Sequence, residues 1–164
     1  MNIEFETYLR AGNPFTPTVT LTHLAGSSCE KLRALVAENP ACPPDLLSAL
    51  AVDSSAHVRT SVACNSTVPA AILESLASDA HPDVRFSIAE NPHVPILILT
   101  QLMHDDNPYV AYRALTTIER LQSEWIVHTF GPQPSARRFA KRASSLINPN
   151  RRMTRVYHST AKSL

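Results

Sequence analysis

The chain has 164 residues and a formal net charge of +1, with 44% apolar and 18% charged residues. That length supports one core of ordinary size without metal or disulfide staples, and no apolar run reaches the about 18 residues of a membrane span. The net charge conceals a division: up to Glu124 there are 14 acids and 7 bases, a balance of −7, and beyond it 8 bases and no acid.

The opening residues, MNIEFETYLR, carry acids where a secretory signal needs bases and lack its apolar stretch, so a cytoplasmic protein is expected. Thirteen prolines against three glycines, spread along the chain, read as punctuation between short helices. Cys29, Cys42 and Cys64 are odd in number and lack CxxC spacing, which argues against a disulfide framework or a zinc site.

From AGNP at Ala11–Pro14 onward the chain repeats itself every 26 residues: AENP follows at Ala37–Pro40, ACNS at Ala63–Ser66 and AENP at Ala89–Pro92. Ala11, Ala37, Ala63 and Ala89 form one column, and Asn13, Asn39, Asn65 and Asn91 the next. Pro17, Pro43, Pro69 and Pro95 follow, then Leu21, Leu47, Leu73 and Leu99, then Leu24, Leu50, Leu76 and Leu102. Asp53, Asp79 and Asp105 make a further column, with Ser27 in the first row. Arg33, Arg59 and Arg85 sit directly after the apolar column Leu32, Val58, Val84 and Val110. Such recurrence is the mark of a repeat protein. The rows run over about 5–27, 28–53, 54–79 and 80–105.

Each row holds two short apolar stripes at helical spacing, such as Val58/Val62 and Ile72/Leu73/Leu76. Helices of nine or ten residues are marginal alone; stacked, each row covers its neighbour's stripe. The AxNPxxP element is then a corner. The asparagine is expected to end one helix in the left-handed region while its amide bonds loose carbonyls. The second proline is expected to open the next helix, where no N–H is needed. The small alanine marks a close helix crossing.

Asp53/Arg59 and Asp79/Arg85, six residues apart, could suggest acid–base or phosphate chemistry. Catalysis needs one such pair and a scaffold needs one per row, so a structural ladder between rows is expected.

The pattern LA.D…VR..VA.NP..P..LL..L resembles the leucine-rich repeat variant family, and its Asp-x5-Arg element is similar to HEAT-like repeats, over about Asn13 to Ala114. The resemblance implies an all-α fold, a right-handed α-solenoid of about four 26-residue two-helix repeats, with one helix of each pair tight and 3₁₀-like. It also implies a surface for binding other macromolecules. Some members of the variant family carry an N-terminal cysteine-rich iron–sulfur segment; no cysteine precedes Cys29, so no cofactor is expected.

After Asp105 the corner residues vanish, Thr117 standing for the asparagine and Leu121 for the proline. Asn107-Pro108 starts a helix, and Val110, Ala114, Ile118, Leu121, Trp125 and Phe130 keep one face. A capping helix over 108–130 is expected, closing a repeat domain of 1–130, with Trp125 plugging its end. GPQP at Gly131–Pro134 is a hinge to a basic segment, 131–164, beginning with a helix capped by Ser135.

No glycine-rich phosphate loop, GxSxG or HExxH is present, and the seven histidines are scattered, so no enzyme activity and no metal site are expected. Stacked-helix DNA glycosylases use a tryptophan and an acid in a groove, but a lone tryptophan in a capping helix does not carry that likeness. Two binding readings remain. In the first, a protein or peptide partner is expected at Phe86, Tyr109 and Tyr112, which share neighbouring outward positions, with the equal alternative that the C-terminal helix folds back and covers them. The outward columns Thr22/Ser48/Glu74/Thr100 and His23/Ala49/Ser75/Gln101 are small and mostly neutral, which suits a peptide better than phosphate. In the second, Arg137, Arg138, Lys141, Arg142, Arg151, Arg152 and Arg155 bind nucleic acid or an anionic surface by counterion release.

Overall fold

A proline before each second helix and an asparagine after each first one divide the chain into short segments, and the structure builds a helix from every segment. In the computed structural model residues 3–130 are described; they contain nine helices and no strand. The first helices of the pairs are α1 (Ile3–Gly12), α3 (Glu30–Glu38), α5 (Ala56–Cys64) and α7 (Pro82–Glu90). The second helices are α2 (Thr18–Ala25), α4 (Pro44–Leu50), α6 (Ala70–Leu76) and α8 (Ile96–Leu102), and α9 (Pro108–Phe130) follows. The second helices are α-helical, not 3₁₀ as the resemblance had implied. Their i, i+4 bonds, such as Leu47 N–H to Pro43 O at 3.0 Å, survive because proline gives up only an N–H that a helix start does not use.

The chain divides into two compact units, the first being Met1–Ile118 and the second beginning at Glu119. In the first unit α1, α3, α5 and α7 lie side by side, each packed on the next, and α2, α4, α6 and α8 pack against them. The core is the set of columns read from the sequence. Ala11, Leu21, Leu47, Val58, Val62, Ala63, Val84, Ile88, Ala89 and Leu99 have no exposed surface. Each fully buried leucine contributes about 2 kcal/mol by area alone, and emptying its place costs about 2–5 kcal/mol. Along α9, Val110, Ala114 and Ile118 are buried, Leu121 is half-buried, and Trp125 is 63% exposed. Burial along this face falls off after Ile118, and Trp125 is exposed where a plug of the end was expected.

The corner has a different geometry from the left-handed one expected. Asn39, Asn65 and Asn91 all have extended backbones, with φ between −66 and −75° and ψ between 116 and 129°. The proline after Asn39 and Asn91 excludes helical and left-handed geometry at the preceding residue, and Asn65, followed by Ser66, adopts the same shape. The second proline sits one place earlier than expected, as N-cap: Pro17, Pro43, Pro69 and Pro95 have extended ψ of 135–154°. Their carbonyls accept the first helical N–H groups, as in Leu21 to Pro17 at 3.1 Å.

Candidate functional site: row-to-row clamps and an aromatic hollow

Two hydrogen-bond systems tie each row to the next. In the first, the asparagine side chain works in both directions. Its Oδ1 accepts the N–H two residues on, from Phe15, Ala41, Thr67 and His93 at 2.7–2.9 Å, which shapes the corner. Its Nδ2 donates to the preceding row. Asn39 reaches Ala11 O and Asn13 O at 2.7 and 2.9 Å, and Asn65 reaches Ala37 O and Asn39 O at 2.6 and 2.9 Å. Asn39 and Asn65 are themselves buried, and their bonds to Ala11 O, Ala37 O and Asn39 O satisfy buried carbonyls.

The fourth corner is looser. Asn91 Nδ2 makes a single bond, to Ala63 O at 3.4 Å. Beside it lies a hollow of about 470 Å³ lined by Cys64, Asn65, Ser87, Glu90, Asn91 and His93 among others. In α9 Thr117 takes over from the missing asparagine, its hydroxyl donating to Ala89 O at 2.7 Å. A threonine inside a helix can serve because only the row-to-row donor is still needed and no corner has to be shaped.

The second system is ionic: each arginine pairs with the carboxylate 20 residues on, while the residue six before it contributes its backbone carbonyl and not a carboxylate. Arg59 Nε and Nη2 donate to both carboxylate oxygens of Asp79, at 2.6 and 2.9 Å, and its Nη1 donates to the backbone carbonyl of Asp53 at 2.8 Å. Arg33 does the same to Asp53 and Ser27 O, and Arg85 to Asp105 and Asp79 O. Each arginine thus joins the turn before its own helix to the turn one row later, by a bidentate pair and a third bond. Each carboxylate also accepts the N–H two residues on, from Ser55, His81 and Asn107 at 2.8 Å. The side chains are only 6–16% exposed. The arginine bond in each case holds Asp53, Asp79 and Asp105 below the ordinary carboxylate value against the opposing effect of burial, and raises Arg33, Arg59 and Arg85. In the first row Ser27 shapes its turn by accepting from Cys29 N–H at 3.1 Å, and the arginine column one row above reads Thr7.

Residues 6–61 match the Leucine Rich Repeat Variant domain. The match to this repeat-variant domain runs from α1 into α5, where the columns were first read. No curated protein and no solved structure matches the chain.

The aromatic positions stand apart from both clamps. Tyr109 is 77% exposed and Tyr112 is exposed; Phe86 is half-buried rather than open. Phe86 of α7 and Tyr109 of α9 both line a hollow of about 300 Å³, whose wall also includes Pro82, Asp83, Asn107 and Val110. The Arg113 guanidinium lies 5.9 Å from the centre of the Phe86 ring and pairs with Glu90. Tyr112 does not line this hollow. The outward columns of the second helices are exposed, and Thr22, Ser48 and Thr100 spend their hydroxyls on carbonyls of their own helices at 2.8–3.0 Å. That consumption of donors was not legible in the sequence. Arg137, Arg138, Lys141, Arg142, Arg151, Arg152 and Arg155 lie outside the described residues, as does the helix expected from Ser135. Among the described residues no group of His, Cys, Asp and Glu is placed to hold a metal ion, and no helix is long and apolar enough to cross a membrane.

Proposed function

We propose that the protein is a non-enzymatic helical-repeat scaffold that binds a protein or peptide partner through the aromatic hollow of α7 and α9 and the adjoining Tyr112. The supporting observation is that Phe86 and Tyr109 line a hollow, in two columns that carry aromatics at the ends of the array (Phe5 and Tyr8 in α1) and none in α3 and α5. The columns that repeat in every row are consumed by the core and the clamps, whereas Phe86 and Tyr109 replace Thr60 and Asp83 of the rows before them. A stack does not require an exposed ring at that place, and exposed neighbouring aromatics are the usual anchors of contact surfaces. The repeat-variant match agrees with a scaffold role.

The test is affinity capture with the full chain, followed by measurement of the purified partner against Tyr109→Ala and Tyr112→Ala. Binding weakened about tenfold or more by either substitution supports the reading, as expected for an aromatic anchor. A partner indifferent to both removes the patch. The competing reading is nucleic-acid binding by the basic segment, and it rests on eight bases without an acid after Glu124. It requires salt-sensitive binding of a random-sequence oligonucleotide to the full chain, lost when Arg137, Arg138, Lys141 and Arg142 are replaced by glutamine.

A further inference from the structure

The columns that change from row to row show what the hollow can hold. One exposed column on the first helices reads Phe5, Lys31, His57, Asp83 and, in α9, Tyr109, the last four each just before the buried Leu32, Val58, Val84 and Val110. The column three places on reads Tyr8, Ala34, Thr60, Phe86 and Tyr112. Both columns are thus aromatic in α1 as well as at the far end, and from α3 to α7 the first passes from cationic Lys31 to anionic Asp83 while the second passes from the buried Ala34 to the half-buried Phe86. Beside the hollow, the Asp83 side chain is 82% exposed, and the His81 imidazole lies 3.8 Å from its carboxylate. Asp106, beside the hollow's Asn107, is highly exposed and shares Arg85 with Asp105.

From this we infer that the hollow receives a lysine or arginine side chain of an extended partner peptide. The cation sits against Asp83 and its stem lies along Phe86 and Tyr109. This rests on the contact-surface reading above and specifies the chemistry of its occupant. Three arguments converge. An aromatic face attracts a cation through its quadrupole, and Phe86 already receives the guanidinium of Arg113 at 5.9 Å. The aliphatic stems of lysine and arginine cover apolar surface while their heads stay in contact with water and charge. An apolar occupant would take water from Asp83 without giving it a partner, and an anionic one would meet Asp83, Asp106 and a chain carrying −7 up to Glu124.

The test uses the isotope-labelled full chain, with backbone amides followed by NMR during titration with the blocked tripeptides Gly-Arg-Gly, Gly-Lys-Gly, Gly-Gln-Gly and Gly-Glu-Gly. The Arg and Lys peptides are expected to move the amides of Asp83, Phe86, Tyr109 and Val110 and to bind about threefold to tenfold tighter than the Gln peptide. Raising the salt should shrink that preference. Asp83→Asn should abolish it while leaving the weak Gln titration unchanged, and Asp83→Lys should turn it towards the Glu peptide. Equal binding of the Arg and Gln peptides, with Asp83→Asn without effect, overturns the cation assignment but leaves the contact surface standing. Absence of any shift at these amides also overturns it. In that case Tyr109→Ala against the captured partner decides separately whether the surface itself survives.

Discussion

Asn65 Nδ2 lies 2.6 Å from the carbonyl oxygen of Ala37, a residue 28 positions earlier, and its Oδ1 lies 2.7 Å from the N–H of Thr67. One side chain thus bends its own corner and fastens that corner to the row before. The two tasks use different atoms, so they are separable by mutation.

Asn65→Ala is expected to cost about 2–3 kcal/mol, because two buried carbonyls lose their donor along with the turn bond. Asn65→Asp keeps the turn acceptor but sets a carboxylate against the oxygens of Ala37 and Asn39, so at neutral pH it should be at least as damaging. Asn91→Ala, which removes one bond of 3.4 Å, should cost about 1 kcal/mol less than Asn65→Ala. Chemical denaturation of the three variants checks the order; equal losses at Asn65 and Asn91 would show that the row-to-row bonds contribute nothing.

The arginine clamp predicts that charge alone is insufficient. Arg59→Lys keeps the charge but loses the fork that holds both oxygens of Asp79 and the carbonyl of Asp53. A loss of about 1–2 kcal/mol is expected, against about 2–3 kcal/mol for Asp79→Asn, which leaves a largely buried guanidinium half-paired. Thermal unfolding measures both. A lysine variant as stable as the parent would reduce the clamp to simple ion pairing.

Acid should weaken the stack. Asp53, Asp79 and Asp105 are held below the ordinary carboxylate value chiefly by their arginine bonds. The unfolded chain therefore binds protons first as pH falls, and the stabilisation is complete above the ordinary value of about 3.9 and drains away below it. The melting temperature should be level from about pH 8 to 5 and fall through about pH 4 and lower, with a shallower fall in Asp79→Asn. An acid limb unchanged by that substitution would assign the effect to other carboxyls.

The three thiols should react in a fixed order. Cys29 is exposed, and its hydrogen bond with the Tyr8 hydroxyl at 3.2 Å lowers its pKa. Cys64 is shifted upward by desolvation and then by the carboxylates of Glu38 and Glu90. Cys42 is buried, and its thiol is pushed up to about 11. Since the thiolate is the nucleophile, alkylation of the folded chain at pH 8 should mark Cys29 first, Cys64 next and Cys42 last. Mass spectrometry of timed samples reads the order, and early loss of the Cys42 thiol would show that the row opens readily.

Periodicity by itself determined the helical pairs, their order and the buried columns, because a stack must repeat the same apolar contacts in every row; Ala11, Leu47, Val58 and Leu99 are buried for that reason. Proline made the corners legible, and the failure of the corner pattern after Asp105 marked the long last helix. What lay outside local pattern was decided by the tertiary structure. Arg59 pairs with an aspartate 20 residues away rather than the one six residues before it, because the next row brings Asp79 to the guanidinium while Asp53 turns its carboxylate towards Arg33. The extended corner at Asn65 and the hollow that Phe86 and Tyr109 line are likewise products of row on row. Spacing along one helix says which side chains share a face, but which of them touch depends on the neighbour that face is laid against.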